Sequence, residues 1–201
     1  MYGYGPSYYY YGPRQNYHMV WTPSKVELNR QLRSLWEEHI FWTRLTVNSI
    51  VGHLPDEKET TARLLRNATD FAAIFQPFYG QQIANLFAEL LRAHLTLAAQ
   101  LTTALRDGKT RVAQDVQRRW FANADDIADS LARINPYWSR EEWRNMMYEH
   151  LRLTSREVSA RISKYYKENV ATNDLIEPQA LQMADELTSG IVQQFPGSFM
   201  N

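Results

Sequence analysis

From residue 24 onward, apolar side chains recur at steps of three and four residues, and strand signals are absent. Such steps place side chains on one face of an α-helix, whereas a strand needs a period of two. Long amphipathic helices joined by short turns bury these faces by packing together. The sequence therefore predicts an all-α fold, an antiparallel helical bundle of the ferritin-like kind with about five to six helices. Four long helices are expected at about 25–53, 81–106 and 110–134 and from 140 onward, and a shorter last helix at 178–195 packs on the bundle or completes it.

Capping and breaking residues locate the shorter elements. Asp56 and Glu59 predict a capping box for a short helix that ends near Arg66. Irregular or helical turns are expected from there to Gly80, with an earlier break at Pro77, because Pro and Gly are the residues that most often interrupt a helix.

The segment 1–17 differs in composition from the rest of the chain: seven of its positions are Tyr, three are Gly and two are Pro. Without an aliphatic face, such a low-complexity segment is expected to be disordered or loosely docked. Exposed Tyr rings can stack between chains, which predicts self-association through this tail. The alternative is a solvated tail without a function. We divide the chain into a tail, 1–22, and a helical bundle domain, 23–201.

Deleting the segment 1–17 is expected to leave the melting temperature of the bundle almost unchanged, because the tail has no helical face to bury. The same deletion should reduce any self-association, which analytical ultracentrifugation would measure. A fall of more than about 4 °C, which corresponds to roughly 1 kcal/mol in a domain of this size, would show instead that the tail is docked on the bundle.

Charge and composition argue against several classes of partner. The 22 basic and 22 acidic residues give a formal net charge of zero, so no broad basic field attracts nucleic acid. The chain contains no Cys, which leaves His, carboxylate and amide side chains as metal ligands. No apolar run approaches the roughly 20 residues that cross a bilayer, and signal-peptide features are absent. We expect a soluble, cytoplasmic protein without membrane insertion.

Three histidines interrupt the apolar faces of three different predicted helices. His39, His94 and His150 follow one another at almost equal intervals along the chain, and similar segments come after them. Each lies near the middle of its helix, as does Asn123 in a fourth helix, and Asp185 falls within the apolar band of the last one. Because burying an imidazole without a partner is costly, the three rings are expected to share one interior site.

Two interpretations of this interior group stay open. Three neutral imidazoles with one or two carboxylates suit a mononuclear Zn, Mn or Fe ion, whereas a dinuclear iron centre would need Glu-x-x-His on one face. The predicted ligands and their supporting partners are His39, His94, His150, Asp185, Asn123, Glu38, Glu149 and Asp126. The alternative is a hydrogen-bond network in which each imidazole pairs with a carboxylate, with Asn123 or with a threonine hydroxyl. The candidate hydroxyls are those of Thr43, Thr96 and Thr154.

Seven short segments carry a resemblance to a known family: 35–45 (LWEEHIFWTRL), 66–71 (RNATDF), 77–80 (PFYG), 119–125 (RWFANAD), 134–138 (INPYW), 148–154 (YEHLRLT) and 190–196 (GIVQQFP). Together they resemble functionally unassigned proteins of endospore-forming Gram-positive bacteria, over about residues 25–196. Members sometimes carry the label acetylglutamate kinase, which does not fit a chain without Gly-rich phosphate turns and alternating strands. The family pattern has Glu before each of the three histidines, and here the second is Ala93. The resemblance implies a fold and a taxonomic setting, and no mechanism.

The leading interpretation of function is a small helical bundle whose interior His-rich site binds a metal ion. The alternative is a non-enzymatic structural or interaction protein, associated with the spore surface, in which the tail makes contacts. A third is a bundle that binds an apolar small molecule between its helices. The chain has no Gly-rich phosphate loop, no G-x-S-x-G elbow and no H-E-x-x-H pair, so no nucleotide cofactor is expected and no reaction is assigned.

Overall fold

A computed structural model describes residues 20–201, and within that range the chain forms five α-helices and one short 3-10 helix, without strands. The elements are α1 (Pro23–Gly52), α2 (Glu57–Arg106), α3 (Thr110–Ile134), α4 (Arg140–Ile162), α5 (Tyr166–Gln194) and the 3-10 helix Pro196–Phe199. The predicted all-α bundle is confirmed. The Tyr-rich segment up to residue 19 lies outside the described residues.

Helix α2 is bent back on itself at Gly80. A straight helix of this length would be about 75 Å long, yet the Arg106 guanidinium at its end lies 3.8 Å from the Glu57 carboxylate at its start. Gly80 has φ 78° and ψ 167°, a backbone conformation that favours glycine. It joins a first arm, 57–79, to a second arm, 81–106. The two arms therefore pack side by side in opposite directions.

The turns predicted between Arg66 and Gly80 are regular helix in the structure, and only the break at Gly80 interrupts it. Pro77 lies inside the first arm, where it removes one backbone donor without ending the helix. The buried rings of Phe71 and Phe75 explain why these turns stay helical, since they fix this part of the arm to the core.

Helix α5 begins at Tyr166, well before the predicted start at Pro178. The prediction was wrong because it took Pro178 as the first helical residue. Thr172 and Ile176 are buried on the preceding turns, so packing against the bundle extends the helix through the proline. The predicted capping box of α2 also does not form, because the Asp56 carboxylate accepts a hydrogen bond from Ser49 Oγ, 2.8 Å away, instead of capping the helix.

Six helical arms form a closed ring around one core. α1, α2, α3, α4 and α5 each pack against the next, and α5 returns to α1, where Arg33 and Asp185 form an ion pair at 2.8 Å. Short connections make neighbouring arms antiparallel. α1, the second arm of α2 and α4 therefore run in one direction, and the other three arms run in the opposite one. The ferritin-like character of the bundle stays a prediction.

The two ends of the described chain meet. Thr22 Oγ1 donates to the carbonyl oxygen of Phe199 at 3.0 Å, and Ser24 Oγ donates to that of Asn201 at 2.9 Å. These contacts tie the start of α1 to the residues that follow α5. Among the helices described, none has both the length and the apolar character that a bilayer crossing requires.

Trp138, in the connection between α3 and α4, leaves no room for a side chain at Gly190 of α5. Its indole Nε1 donates to the carbonyl oxygen of Glu186 at 3.0 Å, and a Cβ on Gly190 would lie 1.9 Å from that nitrogen. Gly190→Ala is therefore expected to displace the indole and to lower the free energy of unfolding by about 1 to 3 kcal/mol. Chemical denaturation measures this change.

Gly197→Ala is the matched control, because a Cβ there meets nothing within 4 Å. It is expected to change the free energy of unfolding by less than about 0.5 kcal/mol. Similar losses in the two variants would contradict the role given to the Trp138 contact.

Candidate functional site

Three buried imidazoles line one interior cavity. His39 on α1, His94 on the second arm of α2 and His150 on α4 are at most 4% exposed. The cavity has a volume of about 20 Å³, which is room for one water molecule or one ion. Its other lining residues are all apolar: Trp36, Phe71, Phe87, Leu91, Ile127, Leu131, Trp143, Met147, Met183 and Leu187. The structure thus brings together the three histidines that the sequence singled out.

The ring of His94 is oriented by Asn123 of α3. His94 Nδ1 and Asn123 Oδ1 are 2.8 Å apart, and Asn123 Nδ2 donates to the carbonyl oxygen of Leu90 at 3.1 Å. A carbonyl oxygen only accepts, so the amide must direct its NH₂ group to Leu90 and its oxygen to the ring. His94 Nδ1 therefore donates. This tautomer leaves Nε2 of His94 with a free lone pair.

Gln179 of α5 orients His150 in the same way. His150 Nδ1 and Gln179 Oε1 are 2.8 Å apart, and Gln179 Nε2 donates to the carbonyl oxygen of Met146 at 3.0 Å. The argument from the acceptor-only carbonyl again makes Nδ1 the donor. Within residues 20–201, no hydrogen bond reaches Nε2 of either His94 or His150.

The third histidine has the same arrangement in a looser form. Asn67, on the first arm of α2, donates through Nδ2 to the carbonyl oxygen of Leu35 at 3.0 Å. His39 Nδ1 and Asn67 Oδ1, the two atoms that correspond to the hydrogen-bonded pairs above, are both buried without a partner. Asn67 still lies close enough to His39 to oppose the lowering of its pKa.

The three pairs form an internal repeat. In each pair, the amide lies on the helical arm that comes after the histidine in sequence, at almost the same separation from it. The amide binds the backbone carbonyl one helical turn before that histidine. The bundle therefore consists of three helical hairpins with the same internal arrangement. The first hairpin is α1 with the first arm of α2, the second is the second arm with α3, and the third is α4 with α5.

The sequence carries a signal for this repeat that periodicity alone does not reveal. Each amide is followed by Ala, two variable residues, an apolar residue and Ala, and the three copies recur at equal intervals: 67–72 (NATDFA), 123–128 (NADDIA) and 179–184 (QALQMA). The sequence interpretation singled out Asn123 and missed Asn67 and Gln179. Aligning the segments that follow the three histidines would have found them.

Burial keeps all three imidazoles neutral. Loss of hydration lowers the pKa of His94 to about 3 and also lowers the pKa of His150, in each case against the opposing effect of the hydrogen bond that the ring donates to the amide oxygen. The pKa of His39 lies well below its ordinary value, because of burial first and then of the charges that His150 and His94 would carry. Neutral rings are the form in which histidine binds metal ions.

Asp185, which the sequence placed in the apolar band of α5, lies on the surface. Its side chain is 51% exposed and forms its ion pair with Arg33 outside the core. The interior placement was wrong because Ala184 and Leu187, which are buried, define the inner face of α5. Asp185 does not reach the histidine cavity.

The other predicted carboxylates also face outward. Glu38 pairs with Arg63, Glu149 pairs with Arg152, and Asp126 is exposed. Glu38 and Glu149 directly precede histidines, and successive side chains on a helix diverge by about 100°. A carboxylate next to a buried histidine in sequence is therefore turned away from the core.

The threonine hydroxyls do not pair with the imidazoles. Thr154 Oγ1 donates to the carbonyl oxygen of His150 at 2.8 Å, and Thr96 Oγ1 donates to that of Arg92 at 2.8 Å. Thr43 Oγ1 is buried without a partner. The amide side chains, and not the hydroxyls or the carboxylates, are thus the partners of the histidine rings.

In the part of the chain that the structure describes, no three His, Asp or Glu side chains are grouped closely enough to hold a metal ion as they stand.

Comparison with known proteins finds no matching family model, no matching curated protein and no matching solved structure. The resemblance to proteins of endospore-forming bacteria stays a prediction.

The lowered histidine pKa values predict a loss of stability in mild acid. Below about pH 6.5, the ordinary pKa of histidine, the unfolded chain binds protons that the folded chain does not. Stability is therefore fully present above that pH and falls as the pH decreases, with a slope that approaches at most about 1.4 kcal/mol per pH unit for each ring between its unfolded and folded pKa. Thermal denaturation between about pH 5 and about pH 8 measures this; a constant melting temperature would contradict it.

Glu157 is buried, with its Oε1 2.5 Å from Nη1 of Arg44. Its effect on the pH dependence of stability is opposite to that of the histidines. Burial raises the pKa of its carboxyl group, with Arg44 opposing the shift. Protonation in acid thus offsets part of the cost of keeping the carboxylate buried, and this contribution to stability grows as the pH falls. Glu157→Gln removes it and is expected to steepen the acid loss, whereas His94→Gln is expected to make that loss shallower.

Proposed function

We propose that the protein binds one transition-metal ion between the imidazoles of His39, His94 and His150. The observation that carries the proposal is that three neutral rings line one cavity of single-atom size. Nitrogen lone pairs of neutral imidazoles are good ligands for Zn, Fe and Cu ions. No reaction is proposed for the bound ion.

The amide partners support this proposal. A histidine that binds a metal through one nitrogen almost always donates its other N–H to an oxygen, which sets the tautomer and the direction of the ring. The side-chain oxygens of Asn123 and Gln179 accept from Nδ1 of His94 and His150. The nitrogen left over in each ring is Nε2.

Ring spacing supports a shared ion for two of the three histidines. The ring centroids of His39 and His150 are 5.6 Å apart. Two imidazoles that bind one ion through bonds of about 2.0 to 2.1 Å have centroids on the order of 5 to 6 Å apart. Among the described residues, the ring of His94 contacts Trp120, at 5.4 Å between centroids, and neither of the other two imidazoles, so the proposal requires it to approach them when an ion binds.

A second candidate is a structural or interaction protein in which the same residues form only a hydrogen-bond network. The observation that favours it is the donation from each amide to the backbone of the neighbouring helix, which ties the two helices of each hairpin together without an ion. Self-association through the tail, and a location in the cytoplasm or on the spore, belong to this candidate as predictions.

Elemental analysis of protein made without a histidine tag distinguishes the two candidates. The protein is incubated anaerobically with Zn²⁺, Mn²⁺, Fe²⁺ and Cu⁺ in turn and then freed of loose metal. We expect one ion per chain for at least one of these metals. His94→Gln should weaken the affinity by about tenfold or more, since changes to the outer partners of metal ligands alone cost about 10- to 100-fold.

His53→Asn is the matched control, because His53 is exposed at the end of α1, and Asn tolerates its left-handed backbone conformation, φ 51°. This variant should bind metal like the unaltered protein. Absence of stoichiometric metal with all four ions would leave the structural network as the function of the histidines.

A further inference from the structure

Two thioethers face the same cavity as the three imidazoles. Met147 on α4 and Met183 on α5 line it and are almost fully buried. Gln179 Nε2, whose amide oxygen holds His150, also lies 3.3 Å from the sulfur of Met183. One sulfur is therefore adjacent to the hydrogen-bonded pair that orients a candidate ligand.

Of the three hairpins, only the third supplies sulfur atoms to the lining of the cavity. The positions that correspond to Met147 are Trp36 and Leu91 in the other hairpins, and those that correspond to Met183 are Phe71 and Ile127; all four also line the cavity. The repeat therefore gives three similar imidazole positions, and the third hairpin adds both thioethers. Aliphatic or aromatic side chains fill the same space elsewhere, so packing alone does not require sulfur at these two positions.

The cavity offers no carboxylate to balance the charge of an ion. Glu38, Glu149 and Asp185 face outward, and Glu157, which lines an adjoining cavity with His39 and His150, is paired with Arg44. The cost of burying an ion in a medium of low polarity grows with the square of its charge. A singly charged ion is therefore much less costly here than a divalent one.

We propose that the ion this site selects is Cu⁺, held by the imidazoles together with the thioethers of Met147 and Met183. This inference rests on the proposed function and specifies its metal. Thioether sulfur is a soft ligand that selects Cu⁺ over Zn²⁺, Mn²⁺ and Fe²⁺, and a chain without Cys has no thiolate to offer in its place. The low charge of Cu⁺ and the softness of the donors favour the same ion for independent reasons.

The test is an anaerobic competition experiment on the full chain, with a colorimetric Cu⁺ chelator and, separately, a Zn²⁺ chelator. The double variant Met147→Leu/Met183→Leu nearly conserves side-chain volume, so the fold is expected to persist, and its melting temperature is checked. We expect Cu⁺ affinity to fall by about tenfold or more, because two donor atoms are lost. Zn²⁺ affinity should change by less than about threefold, since Zn²⁺ gains little from thioethers.

Met146→Leu is the matched control: Met146 is the buried neighbour of Met147 but does not line the cavity. It should leave Cu⁺ affinity unchanged. X-ray absorption of the Cu⁺-loaded protein should show sulfur next to copper in the unaltered protein and in the control, and nitrogen alone in the double variant.

Four outcomes would overturn the inference, and they separate it from the proposed function. If Cu⁺ affinity is the same in the double variant, or copper has no sulfur neighbour, the thioether site is wrong while the imidazole site stands. If Zn²⁺ or another divalent ion binds in preference to Cu⁺, the selectivity is wrong while the imidazole site again stands. If no metal binds the unaltered protein, both proposals fall.

Discussion

An amide side chain that reaches from one helix to both a histidine ring and a backbone carbonyl of the adjacent helix is the interaction on which the interior of this bundle depends. Asn123 and Gln179 each accept from an imidazole and donate to a carbonyl one helical turn before it. One side chain thereby fixes the register of two helices, the tautomer of the ring and the direction of its remaining lone pair. Losing one partner of such a buried pair leaves the other unsatisfied, at a cost of about 1 to 3 kcal/mol.

The three hairpins share the same arrangement of histidine and amide, but they differ in whether the two side chains are hydrogen-bonded. The second and third have closed histidine–amide pairs, whereas His39 Nδ1 and Asn67 Oδ1 in the first are unpaired. The first hairpin thus contributes to the cavity wall an imidazole without a closed amide pair, while the third contributes the sulfur atoms.

The helices were the predictable part of the structure, because a repeating apolar face determines the helix period locally. The start of α5 and the capping interaction of Asp56 were not, since they depend on contacts with distant residues, namely those that bury Ile176 and the hydrogen bond from Ser49 to Asp56. The same reasoning applies to the site. His39, His94 and His150 were visible as polar residues on apolar faces, but Asp185 was misplaced, because one charged residue within an apolar band can lie at either edge of it.

The missed amides, Asn67 and Gln179, show a different limit of the sequence. Periodicity describes one helix at a time, whereas the partner of a buried histidine lies on the next helix. Such a partner stands out only when three segments of the chain are compared.

The contacts of Thr22 with Phe199 and of Ser24 with Asn201 hold the start of α1 against the residues that follow α5. α5 and α1 therefore pack together like the other neighbouring helices, although no short connection joins them. A circular permutant that joins residue 201 to residue 20 through a short linker, and begins at the Gly108 turn, would keep every interhelical contact of the bundle. Its second hairpin would then be divided between the two ends of the new chain, with α3 first and the second arm of α2 last, around the same cavity.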